Sequence, residues 1–233
     1  FSVGVRTAHL PKDIDKSQYG KSAELTRELN GAADYKLSHR ASNGRGVYTF
    51  CMCPGGFVVG AASEEGRLVT NGMSNFDRAG QNANAALLVS VTPEDFPGDN
   101  VLSGVEFQRK IEENAFLAGG GNWRAPCQLV GDFLLGKESN SVGRIEPSFS
   151  NGFALTDLNS ILPKEVAAAL KEGIPAFGKK IYGFDAYEAV LTGCETRSSS
   201  PVRILRNEKG NSLSIKGLFP TGEGAGYAGG ILS

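Results

Sequence analysis

The spacing of apolar and polar positions divides the chain into a first stretch that reads as β, a helical middle and a final β-like stretch. Residues 1–6, FSVGVR, alternate with a period of two, as an exposed-edge strand does. The next segment, HLPKDIDKSQYG, is polar and marked by Pro11, the composition of a connection. KSAELTRELNG, from Lys21 to Gly31, predicts a short helix whose apolar stripe is only Leu25 and Leu29. From Ala33 onward DYKLSHR, GVYTFCMC and FVVGAAS predict strands, and Pro54-Gly55-Gly56 between the last two predicts a hairpin turn. GRLVTNGMS and ALLVSVT predict two more strands around the polar loop NFDRAGQNANA.

The period changes at Ser103, where Phe107, Ile111, Ala115 and Ala118 predict a helix ending at Ala118 before Gly119-Gly120-Gly121. APCQLVGDFLLG is mixed and KESNSVGRIEPSFSNG reads as a loop. LPKEVAAALKEGIPAFGKKI predicts a helix with Pro near its first turn, an interruption at Gly173 and Pro175, and a second short helix. Val166, Leu170, Ile174 and Phe177 would form its buried face. AVLTGCETRSSSPVRILRNEKGNSLSIKGLFPTGE is strand-like again, with a tight turn over Asn207–Asn211. Strands grouped apart from helices predict an α+β fold, with a largely antiparallel or mixed sheet and an inserted helical block. The expected division is a domain over 1–195, with a β-rich part (1–101) and a helical block (102–182), followed by a strand and loop over 196–233 that belong to another unit.

Composition narrows the function. Charged residues are 21% of the chain, and 24 basic side chains nearly balance 25 acidic ones without clustering. Nucleic acid and anionic membrane are therefore poor partners, and a small-molecule substrate is the better expectation. No run approaches the roughly 18 to 20 apolar residues of a membrane-spanning helix, so the chain reads as soluble. Four cysteines without C-x-x-C spacing and two histidines argue against a zinc site or a disulfide framework, and for reduced thiols in the cytoplasm. Glycine is the outlier: 31 residues, about twice the average usage of roughly 7%. The chain opens inside a strand pattern at Phe1 and closes on the unfinished helix AGGILS, so it reads as a piece of a longer protein.

The closing stretch GLFPTGEGAGYAGGILS, Gly217 to Ser233, places Gly224, Gly226 and Gly229 at G-x-G-x-x-G spacing. Strand, glycine loop and helix start form an arrangement in which backbone amides approach an anion or a ring edge, and Glu223 can accept from sugar hydroxyls. An ordinary glycine turn before a helix fits the same spacing. Cys51 and Cys53, two apart on a strand, share a face and are either a redox thiol pair or small buried hydrophobes. His39 and Trp123 each read as structural or as ligand-facing. The loop Asn71–Asn84, with Asn71, Ser74, Arg78, Asn82 and Asn84, is either solvated surface or the substrate side. H-E-x-x-H, Walker A and G-x-S-x-G patterns are missing, which weakens hydrolase and NTPase readings.

Together with ETRSSSPVRI, SNGRGVYTFCMCPGG, NGMSNFDRAGQNANAALLVSVTPEDF and AGGGNWRAPCQLVGDFL, the closing stretch resembles the bacterial family of FAD-dependent dehydrogenases, also called NAD(FAD)-utilising dehydrogenases. The resemblance covers nearly the whole chain. It implies that a nucleotide-binding Rossmann segment precedes the region seen here and that Gly217–Ser233 is the C-terminal flavin motif. Gly222, Glu223 and Gly224 would then face the ribityl and phosphate portion of the flavin, and Gly229, Gly230 and Ile231 would open the helix beside the isoalloxazine or pyrophosphate. Arg197 with Ser198 and Ser199 would hold substrate or steady a reduced flavin, and Arg45 would be a second anion anchor. The implied cofactor is FAD in the longer protein, with NAD(P)H as a possible electron donor. Without the Rossmann segment this chain is expected to hold no FAD and to be inactive alone. The rival class is a ligand- or protein-binding domain that never holds flavin.

Overall fold

A computed structural model describes residues 1–227 of the chain. It is an α+β fold built on one eight-stranded sheet, ordered β2-β3-β5-β1-β8-β6-β7 with β4 paired to β3. The strands are β1 (Ser2–His9), β2 (Ser38–Arg40), β3 (Gly46–Gly60), β4 (Thr70–Ser74), β5 (Asn82–Ser90), β6 (Ala125–Leu129), β7 (Phe153–Leu155) and β8 (Val190–Glu195). All pairings are antiparallel except β6 with β7. Among the described residues five α-helices accompany the sheet: α1 (Pro11–Tyr19), α2 (Ala23–Asn30), α3 (Ser103–Ala118), α4 (Val130–Leu135) and α5 (Lys164–Gly178).

Several local expectations change. The first strand is not an edge: β1 is buried along its whole length between β5 and β8. Its Arg6, Thr7 and His9 read as solvated positions in sequence but are enclosed in the fold. The connection after it is α1, which starts at Pro11, where a missing N–H costs nothing. Ile14 is its one buried apolar anchor, too little to show as a stripe. The hairpin at Pro54-Gly55-Gly56 is instead the middle of one fifteen-residue strand, β3. Its register against β5 slips between Phe50 and Cys53 and again before Gly56. Gly55 takes φ +53° there, and a Cβ on it would lie 1.7 Å from the Arg78 carbonyl oxygen. An extra residue is thus absorbed as a bulge, which Pro tolerates and a regular ladder does not.

The loop expected over Asn75–Ala85 ends early, because β5 already begins at Asn82. The interruption at Gly173 and Pro175 is likewise absent: α5 runs through both. Pro175 falls in the last turn, and Gly173 is where the helix meets the sheet, since a Cβ there would stand 2.6 Å from Val47 Cγ1. Val166, Leu170, Ile174 and Phe177 are buried as their spacing predicts. α3 keeps its expected bounds, while α2 forms with Leu25 and Leu29 both exposed. Of the strand-like tail after Ala189, only β8 and an isolated bridge between Arg206 and Ser212 pair as strand.

The two faces of β1 do different work. On one, the fully buried His9 ring lies 4.7 Å from Phe184 and 6.2 Å from Tyr35, centroid to centroid. Its Nδ1 and the Tyr35 hydroxyl find no partner. Burial holds the imidazole down to about 3, so it is neutral. The opposite face carries Arg6, covered by β4. Gly72 leaves that room, because a Cβ there would lie 2.2 Å from Arg6 Nη2.

Candidate functional site

After Glu195 the chain leaves the sheet and runs along α3, held by side chains that a periodicity reading assigns to no role. Gln108 Nε2 donates to the Thr196 carbonyl at 2.7 Å, and Thr196 Oγ1 donates to Glu112 at 2.7 Å. Glu112 is fully buried and receives both arms of the Arg197 fork, from Nε at 2.9 Å and Nη2 at 2.8 Å. Arg197 also reaches Glu64 at 3.2 Å and the Ser63 hydroxyl, and the Glu112 pairing raises its already high pKa. Gly104 lets the turn press against the helix, since a Cβ there would come within 2.9 Å of Pro201 Cβ. Arg197 is thereby a fixed support for the Ser198–Pro201 turn.

The chain then folds back through Arg203–Tyr227 as an arm. Ile204 and Leu213 donate backbone bonds to Ala225 and Leu205, and the Tyr227 ring lies between Arg203 and Arg206, 5.0 and 3.7 Å from its centroid. The arm closes on a glycine turn in which Gly226 N donates to Glu223 O at 2.9 Å and Tyr227 N to Gly222 O at 3.1 Å. Gly222 and Gly226 sit at φ +76° and +83°, a region that favours glycine. Gly224 differs: it has no such angle, and nothing stands within 4 Å of where its Cβ would be.

The turn returns beside the serine segment. Gln108 and Arg197, the Ser199-Ser200-Pro201 run, and Glu223 with Gly224 line one cleft of about 170 Å³. Four expected site residues, Arg197, Ser199, Glu223 and Gly224, therefore meet across more than twenty residues of chain. Gly222 belongs to the same turn. Ser198 faces inward and donates to the Ser2 carbonyl at 3.2 Å. Arg45 is not in the cleft; its guanidinium grips Asp95 and the Ser90 carbonyl, and this pairing pulls the Asp95 carboxyl down. The expected roles of Gly229, Gly230 and Ile231 lie outside the described residues.

Of the polar loop, Asn71 and Asn84 turn onto Arg6, Asn82 donates to the Glu146 carbonyl at 2.9 Å, and Ser74 binds the Pro54 carbonyl at 2.8 Å. Trp123 packs edge-on against Phe116 at 4.8 Å, and His39 sits on the edge strand β2. A larger groove of about 990 Å³ lies along α1 and α2, where lysines alternate with acids and Arg27 is paired to Asp15. Among the described residues no group of three or more His, Cys, Asp and Glu side chains is arranged to hold a metal ion. No described helix is long and apolar enough to cross a membrane.

Sequence reasoning missed the buried Arg6 and its pairing with Glu195. Arg6 Nη1 meets both Glu195 oxygens at 2.8 and 3.0 Å, Nε donates to Asn84 at 2.8 Å, and Nη2 reaches the Cys51 carbonyl and Cys53 Sγ. Burial pushes the Glu195 carboxyl up and Arg6 pulls it back. Local spacing held no signal for it, because Arg6 falls on the polar step of FSVGVR, out of phase with Val3 and Val5.

The model of the family described as "FAD-dependent protein, C-terminal domain-like" matches residues 1–198, and the chain belongs to that family. A protein of Clostridium beijerinckii described as uncharacterized is 53% identical over 234 residues, covering 100% of this chain. The chain spans 44% of that relative's length.

The residues present suit one part of a flavin site. Open space at Gly224 lets a ligand reach the backbone, and Ser199, Ser200 and Glu223 offer hydroxyls and a carboxylate at the same cleft. A cleft of about 170 Å³ is smaller than the roughly 300 to 1,000 Å³ of ligand pockets, so it can supply a wall and not the whole enclosure.

Proposed function

We propose that this chain is the substrate-side domain of a longer cytoplasmic FAD-dependent oxidoreductase, of dehydrogenase type, and that its cleft closes over the flavin. The observation that carries the reading is the meeting of the Ser199–Pro201 turn with the Glu223-Gly224 turn in one cleft, supported on Arg197. FAD, when bound, would supply the hydride or electron transfer. On this chain Glu223 would accept from the ribityl hydroxyls and the backbone at Gly222 and Gly224 would allow close approach. Ser199 and Ser200 would donate to substrate or flavin oxygens, while Arg197 keeps their turn in place through Glu112. A nicotinamide nucleotide is the proposed reductant.

The arm supports attachment to a larger body. It lies beyond residue 198, where the family match ends, and it exposes Leu205, Leu213, Ile215 and Phe219. We assign that apolar face to packing against the nucleotide-binding part of the longer protein.

The test is to purify the full-length parent and record its visible spectrum before and after addition of FAD, then follow NADH and NADPH oxidation. Bound flavin that is retained less well in Glu223→Gln and Gly224→Ala supports the reading. A colourless parent that takes up no added FAD overturns it and leaves a non-enzymatic binding domain.

A further inference from the structure

Cys51 and Cys53 are gathered in a way that simple core packing does not require. β3 slips register between Phe50 and Cys53, and Cys51 adopts φ +43°, a left-handed angle on a non-glycine residue. Outliers of this kind persist only where surrounding structure imposes them. Here the fully buried Arg6 does so, its Nη2 donating to the Cys51 carbonyl. The same nitrogen lies 3.4 Å from Cys53 Sγ, and that sulfur lies 3.3 Å from the Cys51 oxygen, so the Cys53 side chain folds back over the Cys51 peptide. In a regular strand the two Cα atoms would stand about 6.6 Å apart, within the span that a disulfide bridges. Both are half-buried, whereas Cys127 and Cys194 are buried.

We propose that Cys51 and Cys53 are a redox-active dithiol that closes to an intramolecular disulfide by thiol–disulfide exchange, with Arg6 holding the pair in place. In the first step Cys51 gives its proton to solvent and the resulting thiolate attacks one sulfur of a low-molecular-weight disulfide. The Cys51–sulfur bond forms, the reagent's S–S bond breaks, and one thiolate leaves. In the second, Cys53 gives its proton to solvent and attacks the Cys51 sulfur, expelling the second thiolate. Two protein thiols are oxidised and one small disulfide is reduced to two thiols. Burial pushes both protein thiols up and Arg6 opposes it in each, with Ser74 also lowering Cys53. The guanidinium would steady Cys53 as it becomes the attacking thiolate. The proposal stands apart from the flavin reading, because a small disulfide suffices as oxidant.

The test uses the whole chain, incubated without oxygen with oxidised glutathione, quenched with acid, alkylated and weighed intact, then mapped by peptide. The expected product has lost two hydrogens, carries no glutathione, and shows only Cys51 and Cys53 protected. Cys53→Ser is expected to stop at one glutathione on Cys51. Four alkylatable thiols after incubation, with Cys51 and Cys53 still free, a glutathione adduct accumulating in the wild type as in the variant, or a disulfide through Cys127 or Cys194 would each overturn the proposal.

Discussion

Acidification from pH 7 to pH 5 tests the buried face of β1 through His9. The folded imidazole stays neutral until about 3, because it is enclosed against Phe184 and Tyr35 with no acceptor for a second proton. In the unfolded chain the same ring titrates near 6.5. The unfolded state therefore binds the extra proton throughout the interval between the two values. Stability is full above about pH 6.5 and falls as pH drops, with a limiting slope of about 1.4 kcal/mol per pH unit. Integrated from pH 7 to 5, the loss from this group is about 2 kcal/mol. Carboxylates held low in the fold, such as Asp95 beside Arg45, lose stability in the same direction but mainly below the ordinary carboxylate range. Urea unfolding at pH 7, 6 and 5 measures the slope, and His9→Phe isolates the contribution of the ring. A wild-type stability that is flat across that interval, or an equal slope in His9→Phe, would refute the reasoning.

Gly173→Ala improves helix propensity by about 1 kcal/mol in isolation. The added Cβ would meet Val47 Cγ1 at 2.6 Å, so the expected net result is destabilisation of about 1 to 3 kcal/mol in chemical denaturation. Arg6→Met leaves Glu195 buried without its fork and is expected to cost about 3 to 5 kcal/mol, with partial recovery when Glu195→Gln is added. Gly224→Ala meets no atom within 4 Å, so folding of this chain should change by less than about 0.5 kcal/mol while the longer protein retains flavin less well.

Much of the candidate site could be read locally. Glu195–Ile204 and Gly217–Ser233 announce themselves as turn chemistry, because serine hydroxyls, proline and glycine act over a few residues. Arg45 and Ser198 have the same side-chain chemistry as a ligand anchor, yet the fold commits them to Asp95 and the Ser2 carbonyl. Arg6 and Glu112, and the role of Asn84 beside Arg6, were illegible for the converse reason. Their side-chain partners are 45 or more positions away along the chain, and charge in a half-apolar strand or on a helix normally signals solvent.

The amino-acid sequence by itself determined the α+β class, the bounds of α3 and the buried stripe of α5, since these follow from periodicity and capping within one element. Tertiary structure alone decided that β1 is central, that β3 crosses Pro54-Gly55-Gly56 without turning, and that α5 continues through Pro175. It also brought Ser199 to Gly224 and set Cys53 under Arg6. Each depends on what packs against the element. A bulge, a close glycine contact or an enclosed ion pair gains its free energy from neighbours that local spacing does not contain.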